Sequence, residues 1–204
     1  MKRRYLAAAS VLCLALSAGT VQAEHSGDAA AQKEENLDGI GEILEQELGD
    51  DLLSGMVLFD SHLYELPAPL SAFLENGFSI ELEESDLELE AEKAGFVVLQ
   101  KDNKKVKMMI ENDTDQTAKA EECLVTCLWV SQYEDGFSLV LPGEIELGMK
   151  REDLEKILET FDVATEESDH FLAYWITSQD SDLNETSIFV EKETGIVAKI
   201  QIER

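Results

Sequence analysis

The segment that decides the fold is "ECLVTCLWV", residues 122–130. Apolar side chains occupy nearly every position of this segment, and successive side chains of a strand point to opposite faces of the sheet. Both faces of a strand formed here are therefore apolar, and such a strand must be covered on both sides. The segment predicts a central strand of a sheet.

Two cysteines lie in this segment, Cys123 and Cys127. In a strand their positions are about 13 Å apart along the chain. A disulfide needs Cα atoms within about 7 Å of each other. We therefore expect both cysteines to be buried as small hydrophobic side chains. A bulge or a helical segment would bring them closer and favour a disulfide.

Strand-like and helical segments precede this central segment. "GMVLFDSHLYELP" is typical of a strand or a bent pair of strands, and "PLSAFLENG" predicts a helix that begins near Pro69 and ends at Gly77. "GFVVLQKD" and "KKVKMMIEN" predict two strands, with a tight turn at Asp102-Asn103.

The second half of the chain repeats this order. "FSLVLPGEIELG" is strand-like, and "KREDLEKILETF" is the clearest helix, with apolar side chains spaced for one face at Leu154, Ile157, Leu158 and Phe161. "FLAYWITS", "ETSIFVEK" and "GIVAKIQIE" then predict three strands.

We predict an α+β fold of two tandem units, each a helix plus three antiparallel strands, with the helices packed on one face of a shared sheet. The first unit spans residues 56–135 and the second spans residues 136–204. A helical segment at residues 37–55 precedes them, with Ile40, Ile43, Leu44 and Leu48 on one face and Gly49 as its end.

The segments "IELGMKREDLEKILETF", "FLAYWITS" and "SIFVEKETGIVAKIQIE" carry a resemblance to a known class. This pattern resembles the small-repeat class that includes the beta-lactamase inhibitor protein and the small outer-membrane assembly lipoproteins. The shared features are Gly148 before the helix and the turn Thr194-Gly195-Ile196-Val197 before the last strand. The resemblance covers about residues 138–203, with a fainter version over 57–131, and the chain also resembles secreted, functionally unassigned proteins of gut Firmicutes.

The chain departs from that class at both ends of the helix. Lys150 stands where the class often has a Ser or Thr cap, and Phe161-Asp162 stand where it often has Gly and Pro. No inhibitory motif of the class is present. The resemblance therefore implies a binding fold and does not imply inhibition of beta-lactamases.

The N-terminus has the pattern of a secretory signal peptide over residues 1–23. Lys2, Arg3 and Arg4 precede an apolar run, and Val21-Gln22-Ala23 places small residues at the cleavage positions. Residues 24–36 have no apolar periodicity and are expected to be a disordered lead. We therefore expect a secreted protein, or one held on the cell envelope by protein contacts.

The charge balance excludes two classes of partner. The chain has 16 Lys and Arg against 44 Asp and Glu, a net charge of −28. Such a surface repels nucleic acid and anionic membranes. It is consistent with solubility alone, with steering toward a basic partner, or with loose binding of divalent cations.

The segment "DSDLNETSIFVE" places oxygen ligands at nearly the spacing of a calcium loop. Asp180, Asp182, Asn184 and Glu191 occupy positions one, three, five and twelve. Position six, where the loop needs Gly, is Glu185, and the flanking segments are strand-like where a calcium loop needs helices. We expect a polar hairpin loop, with a calcium site as the less favoured alternative.

We find no motif for catalysis. His62 and His170 lack the setting of a nucleophile and its base, and neither G-x-G-x-x-G nor a P-loop is present. No catalytic residue and no cofactor is predicted, and we expect a protein that is not an enzyme. A carboxylate-based hydrolase site is not recognisable among so many acids.

Aromatic side chains in two strand-like segments are the best candidates for a partner-binding surface, because aromatic residues dominate protein interfaces. They are Trp129, Tyr133, Phe171, Tyr174 and Trp175. Strand alternation separates Phe171 and Trp175 from Tyr174, so one set faces the helices and the other is free to lie on an open face of the sheet.

From these observations we expect an exported, acidic, non-enzymatic protein-binding module, inhibitor-like or associated with the envelope. Its partner would be a protein. The first alternative is a calcium-responsive structural protein of the cell envelope. The second is a hydrolase with an unrecognised site.

Overall fold

The computed structural model describes residues 48–133, 136–178 and 184–204, which all belong to one compact unit. Two α-helices and fifteen strands are present in this part of the chain. The elements are β1 (Met56–Phe59), β2 (His62–Glu65), β3 (Ala68–Pro69), α1 (Leu70–Glu75), β4 (Ser79–Ile80), β5 (Glu88–Leu89), β6 (Ala94–Lys101), β7 (Lys104–Glu111), β8 (Ala118–Lys119), β9 (Leu124–Ser131), β10 (Leu139–Leu141), β11 (Ile145–Glu146), α2 (Arg151–Leu158), β12 (Val163–Glu167), β13 (Phe171–Thr177), β14 (Glu185–Glu191) and β15 (Val197–Glu203).

A nine-stranded antiparallel sheet dominates the molecule. Its strand order is β12-β13-β14-β15-β9-β7-β6-β4, and the short β3 also pairs with β9. Strand β9, which contains most of "ECLVTCLWV", lies between β15 and β7. The predicted central position of this strand is confirmed, because β9 has a paired strand along each of its two edges.

A second sheet joins distant parts of the chain. It has four strands in the order β11-β10-β1-β2. The hairpin of β1 and β2 turns at Asp60 and Ser61, both at positive φ, and β10 then pairs with β1 through Leu58↔Val140 and Phe59↔Leu139. A two-stranded sheet, β5 with β8, completes the pairing.

The predicted α+β fold of two tandem helix-plus-three-stranded units is wrong. Of the described residues 49% lie in strands and 16% are helical, and the α-helical part amounts to two short helices, so the chain is mostly β. Strand pairing crosses the boundary between the two supposed units at residues 135 and 136. Strand β10, from the supposed second unit, pairs with β1 from the supposed first, and β11 pairs with β10.

The helices cover one face of the large sheet and bury a single apolar cluster. Leu70 and Phe73 of α1, and Leu154 and Leu158 of α2, lie in that cluster. The same cluster includes Phe59 from the four-stranded sheet. Burial of side chains of this size stabilises the fold by about 2 kcal/mol each, so the inner face of the large sheet is the hydrophobic core.

Helix α2 begins where the sequence predicts it to begin. Gly148 has φ +86, and its amide donates to the carbonyl of Val197 at 2.8 Å. The amide of Arg151 donates to Gly195, which ties the start of the helix to the start of β15. Glu152 and Asp153 in the first turn complement the positive end of the helix dipole.

Two other local predictions are confirmed. Asp102 and Asn103, at φ +52 and +64, form the turn between β6 and β7. Cys123 and Cys127 are buried free thiols with no disulfide. The pairing of β7 with β9 is irregular at Thr126, which lies between the two cysteines. This irregularity does not bring the cysteines into a disulfide.

The N-terminal predictions fall almost entirely outside the described residues. The signal peptide at 1–23, the lead at 24–36 and the helical segment as far as residue 47 all lie there. Leu48, the last apolar residue of that predicted helix, is buried, and Gly49 follows it at φ +67. Within residues 48–133, 136–178 and 184–204, no helix combines the length and the apolar character that a membrane crossing needs.

Candidate functional site: an aromatic groove on the open face of the sheet

The face of the large sheet opposite the core carries a groove of about 380 Å³. Its lining includes Lys107 from β7, Trp129 from β9, Lys199 from β15, Phe189 from β14 and Phe171 from β13. The volume lies within the range typical of ligand sites, about 300–1,000 Å³. Five neighbouring strands therefore contribute to one concave surface.

Strand register brings these side chains into line. In one row across the sheet, Trp129 pairs with Gln201, Gln201 with Ser187, and Ser187 with Trp175. In the next row Ser131 pairs with Lys199, Lys199 with Phe189, and Phe189 with Ala173. Because the side-chain period of a strand is two, all of these residues share the open face.

The alternation of β13 decides which predicted aromatic residues lie on this surface. Phe171 and Trp175 face outward with Trp129, and all three are partly exposed. Tyr174 has the opposite orientation: it is 4% exposed and belongs to the core cluster. The structure therefore brings together Trp129, Phe171 and Trp175 and excludes Tyr174.

Tyr133 lies at the margin of the groove. It follows β9 by two residues, its side chain is 59% exposed, and its hydroxyl donates to Glu191 Oε2 at 2.9 Å. This hydrogen bond raises the pKa of Tyr133. The pKa of Glu191 is lowered, first by a hydrogen bond from Thr194 and then by the one from Tyr133. Glu191 is thus held as an anion at the rim.

Contacts between neighbouring aromatic rings hold these side chains in place. Phe96 of β6 lies 6.0 Å from Trp129 between ring centres, and Trp175 lies 5.8 Å from Phe189 in an edge-to-face arrangement. Aromatic pairs at such separations contribute about 0.5–1.5 kcal/mol beyond area burial. The rings therefore form a preorganised surface that extends from β6 to β13.

Two lysines stack on this surface. Lys107 Nζ lies 4.1 Å from the centre of the Phe96 ring, and Lys199 Nζ lies 5.4 Å from that of Phe171. The described ion pairs of the chain use other basic residues, namely Lys101, Lys105, Arg151, Lys156 and Lys192. Among the described residues, no carboxylate lies within ion-pair distance of Lys107 or Lys199.

Carboxylates flank the groove. Glu185 of β14 pairs in register with Glu203 of β15, two residues beyond the row that contains Trp129. Glu191 lies on the other side, beside Tyr133. The groove is thus a small cationic and aromatic area with an acidic rim, in a chain of strongly negative charge.

Sequence reasoning missed four residues of this surface: Phe96, Lys107, Phe189 and Lys199. For Phe189 and Lys199, the alternation of side chains in the last two strands predicts a position on the face opposite the core. In "GIVAKIQIE" Lys199 lies on the face opposite Ile200 and Ile202, and in "SIFVE" Phe189 alternates with the buried Ile188 and Val190. The Asp102-Asn103 turn predicts the pairing of β6 with β7, but Lys107 and Phe96 join the surface only through the pairing of β7 with β9, which no local pattern specifies.

The two candidate calcium residues that the structure describes, Asn184 and Glu191, do not lie within reach of one ion. Asp180 and Asp182 lie outside the described residues. Asn184 and Glu191 are separated by the whole of β14, an extended distance of about 23 Å. One ion cannot bind both, because calcium–oxygen distances are about 2.4 Å. No other group of three or more His, Cys, Asp or Glu suited to a metal ion occurs in the part of the chain that the structure describes.

No family model, curated protein or solved structure matches this chain.

Proposed function

We propose that this protein is an exported, acidic, non-enzymatic binding module that holds a protein partner on the open face of its large sheet. The observation that carries the proposal is the groove lined by Trp129, Phe171 and Phe189, on a face that neither of the two described helices covers. Partly exposed aromatic side chains in a preorganised setting are the residues that contribute most to protein interfaces.

The dimensions of the face support a protein partner. Six strands of seven or eight residues, from β13 to β6, span about 24 Å across, and seven residues of each span about 23 Å along. This area, about 550 Å², is a large part of the roughly 800 Å² that each partner contributes to an interface of standard size. A small molecule would occupy the groove and leave most of the face uncovered.

Export is part of the proposal and rests on the pattern of residues 1–23. A secreted or envelope-associated binding protein would meet its partner outside the cytoplasm. The acidic surface keeps such a module soluble and disfavours nonspecific contact with nucleic acid and anionic lipid.

The experiment is affinity capture with matched variants. Residues 24–204 are immobilised and exposed to envelope and culture-medium fractions of the source organism. The baits are the unmodified chain, the double variant Trp129→Ala with Phe171→Ala, and the control Leu82→Ala. Leu82 is 65% exposed, lies on a short 3-10 turn, Leu82–Glu84, and does not line the groove.

We expect one dominant protein to be retained by the unmodified chain and by the Leu82→Ala control, and retention to fall at least about tenfold on the double variant. Circular dichroism establishes that the double variant is folded. Equal retention by all three baits, or retention that depends only on surface acids, would show that this face is not the binding site.

A further inference from the structure

We propose that Lys107 and Lys199 recognise carboxylates, so that the segment seated in the groove is an acidic peptide segment with an aromatic or large apolar side chain between its acids. This inference rests on the proposed function and specifies the chemistry of the partner. Lys107 lies on β7 and Lys199 lies on β15, and these two strands flank β9, which carries Trp129. The two strands that carry the lysines are therefore about 10 Å apart.

Covering Lys107 and Lys199 with a partner costs desolvation free energy. Lys107 is exposed and Lys199 is half-buried, and both ammonium groups meet aromatic rings. A partner that covers the groove removes water from two cations. A buried cation without an opposite charge is strongly unfavourable, and a ring face alone compensates only a small part of that cost. A partner that seats here must therefore supply anions.

Lys107 and Lys199 are not neutralised by carboxylates of the described chain. Five of the twelve described basic residues form ion pairs with carboxylates, and these two lysines are not among the five. Strand register places Ser131 and Phe189, not an acid, opposite Lys199, and Val98 opposite Lys107. The stacking on Phe96 and Phe171 keeps both ammonium groups over the groove and leaves their hydrogen-bond donors for an incoming group.

The acidic rim does not oppose a short acidic segment. At physiological ionic strength the Debye length is about 8 Å, so the field of distant acids is screened while contacts within the groove are not. Glu185, Glu203 and Glu191 lie along the margins and would repel acids that extend beyond the groove. The partner is therefore a segment with a few carboxylates around an apolar anchor, and a long acidic tract is disfavoured.

The test uses a reporter that the chain provides. Trp129 and Trp175 are the two tryptophans of the sequence, and both lie on the open face. The probe is the tripeptide N-acetyl-Glu-Phe-Glu amide, compared with its uncharged analogue N-acetyl-Gln-Phe-Gln amide and with N-acetyl-Lys-Phe-Lys amide. Binding to residues 24–204 is followed by the two indole N–H signals in NMR spectra and by tryptophan fluorescence.

We expect the acidic tripeptide to shift the Trp129 indole signal with a Kd at least about tenfold lower than that of the Gln analogue, and this preference to shrink at high salt. The double variant Lys107→Gln with Lys199→Gln should lose the preference. The matched control is Lys104→Gln, because Lys104 also lies over a ring, that of Phe137 at 5.3 Å, but contributes nothing to the groove.

Three results would overturn the inference: equal affinity for the acidic and Gln peptides, tighter binding of the Lys peptide, or unchanged indole signals with all three at millimolar concentration. None of these results bears on whether Trp129 and Phe171 are needed to retain a protein partner. If a protein partner is captured through Trp129 and Phe171 but the acidic peptide binds no better than the Gln peptide, the open face remains the proposed binding site and the proposal of carboxylate recognition is rejected. If the capture and the peptide preference are both absent, the open face is rejected as a binding site.

Discussion

The hydroxyl of Tyr174 donates a hydrogen bond of 2.7 Å to Glu155 Oε1 and so joins β13 to helix α2. The same carboxylate oxygen accepts a bond of 2.8 Å from Arg151 Nε, one turn earlier on the helix. Burial is the main reason that the pKa of Tyr174 rises to about 12. Tyr174 therefore holds a helix against the sheet and lies on the core face of β13, although its neighbours Phe171 and Trp175 lie on the open face.

Replacement of Tyr174 with Phe should lower the free energy of unfolding by about 1 kcal/mol and leave partner binding unchanged. The ring remains in the core, and only the hydrogen bond is lost, which typically contributes about 0.5–1.5 kcal/mol. Urea unfolding and the capture assay measure the two effects. A variant that unfolds normally but no longer retains the partner would place Tyr174 on the binding surface and contradict the orientation of β13.

The stability contributed by this contact should depend on pH. The hydrogen bond from Tyr174, followed by that from Arg151, lowers the pKa of Glu155 below its ordinary value of 4.5. A carboxyl group with a lowered folded-state pKa contributes stability above its unfolded pKa, and that stability is lost as pH falls through the folded value. The difference in unfolding free energy between the native chain and the Tyr174→Phe variant should therefore shrink from about pH 6 to about pH 3.

Urea titrations of both proteins at several pH values test this dependence. Asp153, Glu167 and Glu191, whose pKa values are also lowered, are unchanged in the variant and cancel in the comparison. A difference that grows toward low pH would mean that the hydroxyl does not stabilise the ionised carboxylate.

Patterns within one segment predicted much of this structure. The apolar run 122–130 identified the centre of the sheet, the spacing of Leu154 and Leu158 identified helix α2, and the Asp102-Asn103 pair identified a hairpin. Each of these signals arises from residues close together in sequence, where side-chain periodicity or a positive φ leaves a direct trace.

The fold class required information that local patterns do not contain. Strand β12, with the sequence VATEE, pairs with β13 at the edge of the sheet, and four of its five side chains are exposed, so no apolar alternation marks it as a strand. Pairing of β10 with β1 joins residues about 80 positions apart. The repeat of element order suggested two units, whereas long-range pairing merged the elements into larger sheets.

For the candidate site, the sequence identified the strand of aromatics but not its orientation. Alternation separated Phe171 and Trp175 from Tyr174 without showing which set faces the helices. The structure resolves this choice because Leu154 and Leu158 of α2 pack in the same cluster as Tyr174.

Cys123 and Cys127 should react only after unfolding. Burial raises the pKa of both thiols, and Cys123 and Cys127 are 1% and 0% exposed. A buried thiol of raised pKa has little reactive thiolate. With residues 24–204, we expect negligible labelling by a thiol reagent under native conditions, labelling of both thiols in urea, and a melting temperature that does not change with reductant.

An intramolecular disulfide would give a different pattern. Air oxidation would then remove both thiols without forming dimers, and reductant would lower the melting temperature. The Cys123→Ala and Cys127→Ala variants serve as controls, because each should label at half the native stoichiometry in urea.

Removal of the Arg204 side chain should destabilise the fold by about 2 kcal/mol. Its guanidinium donates to the carbonyls of Leu52, Glu185 and Glu203 at 2.6–2.8 Å and to Thr186 Oγ1 at 2.9 Å. Burial lowers the pKa of Arg204 to about 10, and the charge of Asp51 opposes this effect. An Arg204→Ala substitution removes a charged donor from these four part-buried acceptors, and a hydrogen bond to a charged group typically contributes about 1.5–3 kcal/mol.

The same substitution should loosen the segment around Leu52, because Thr186 Oγ1 and Arg204 Nη2 both donate to the Leu52 carbonyl, each at 2.8 Å. A double-mutant cycle of Arg204→Ala and Thr186→Val should therefore give a coupling energy of at least about 0.5 kcal/mol, since the two donors share an acceptor and contact each other. Limited proteolysis should cut the Arg204→Ala variant near residues 48–55 before the sheet unfolds. Additive effects, with no early cleavage, would show that Arg204 does not anchor this segment.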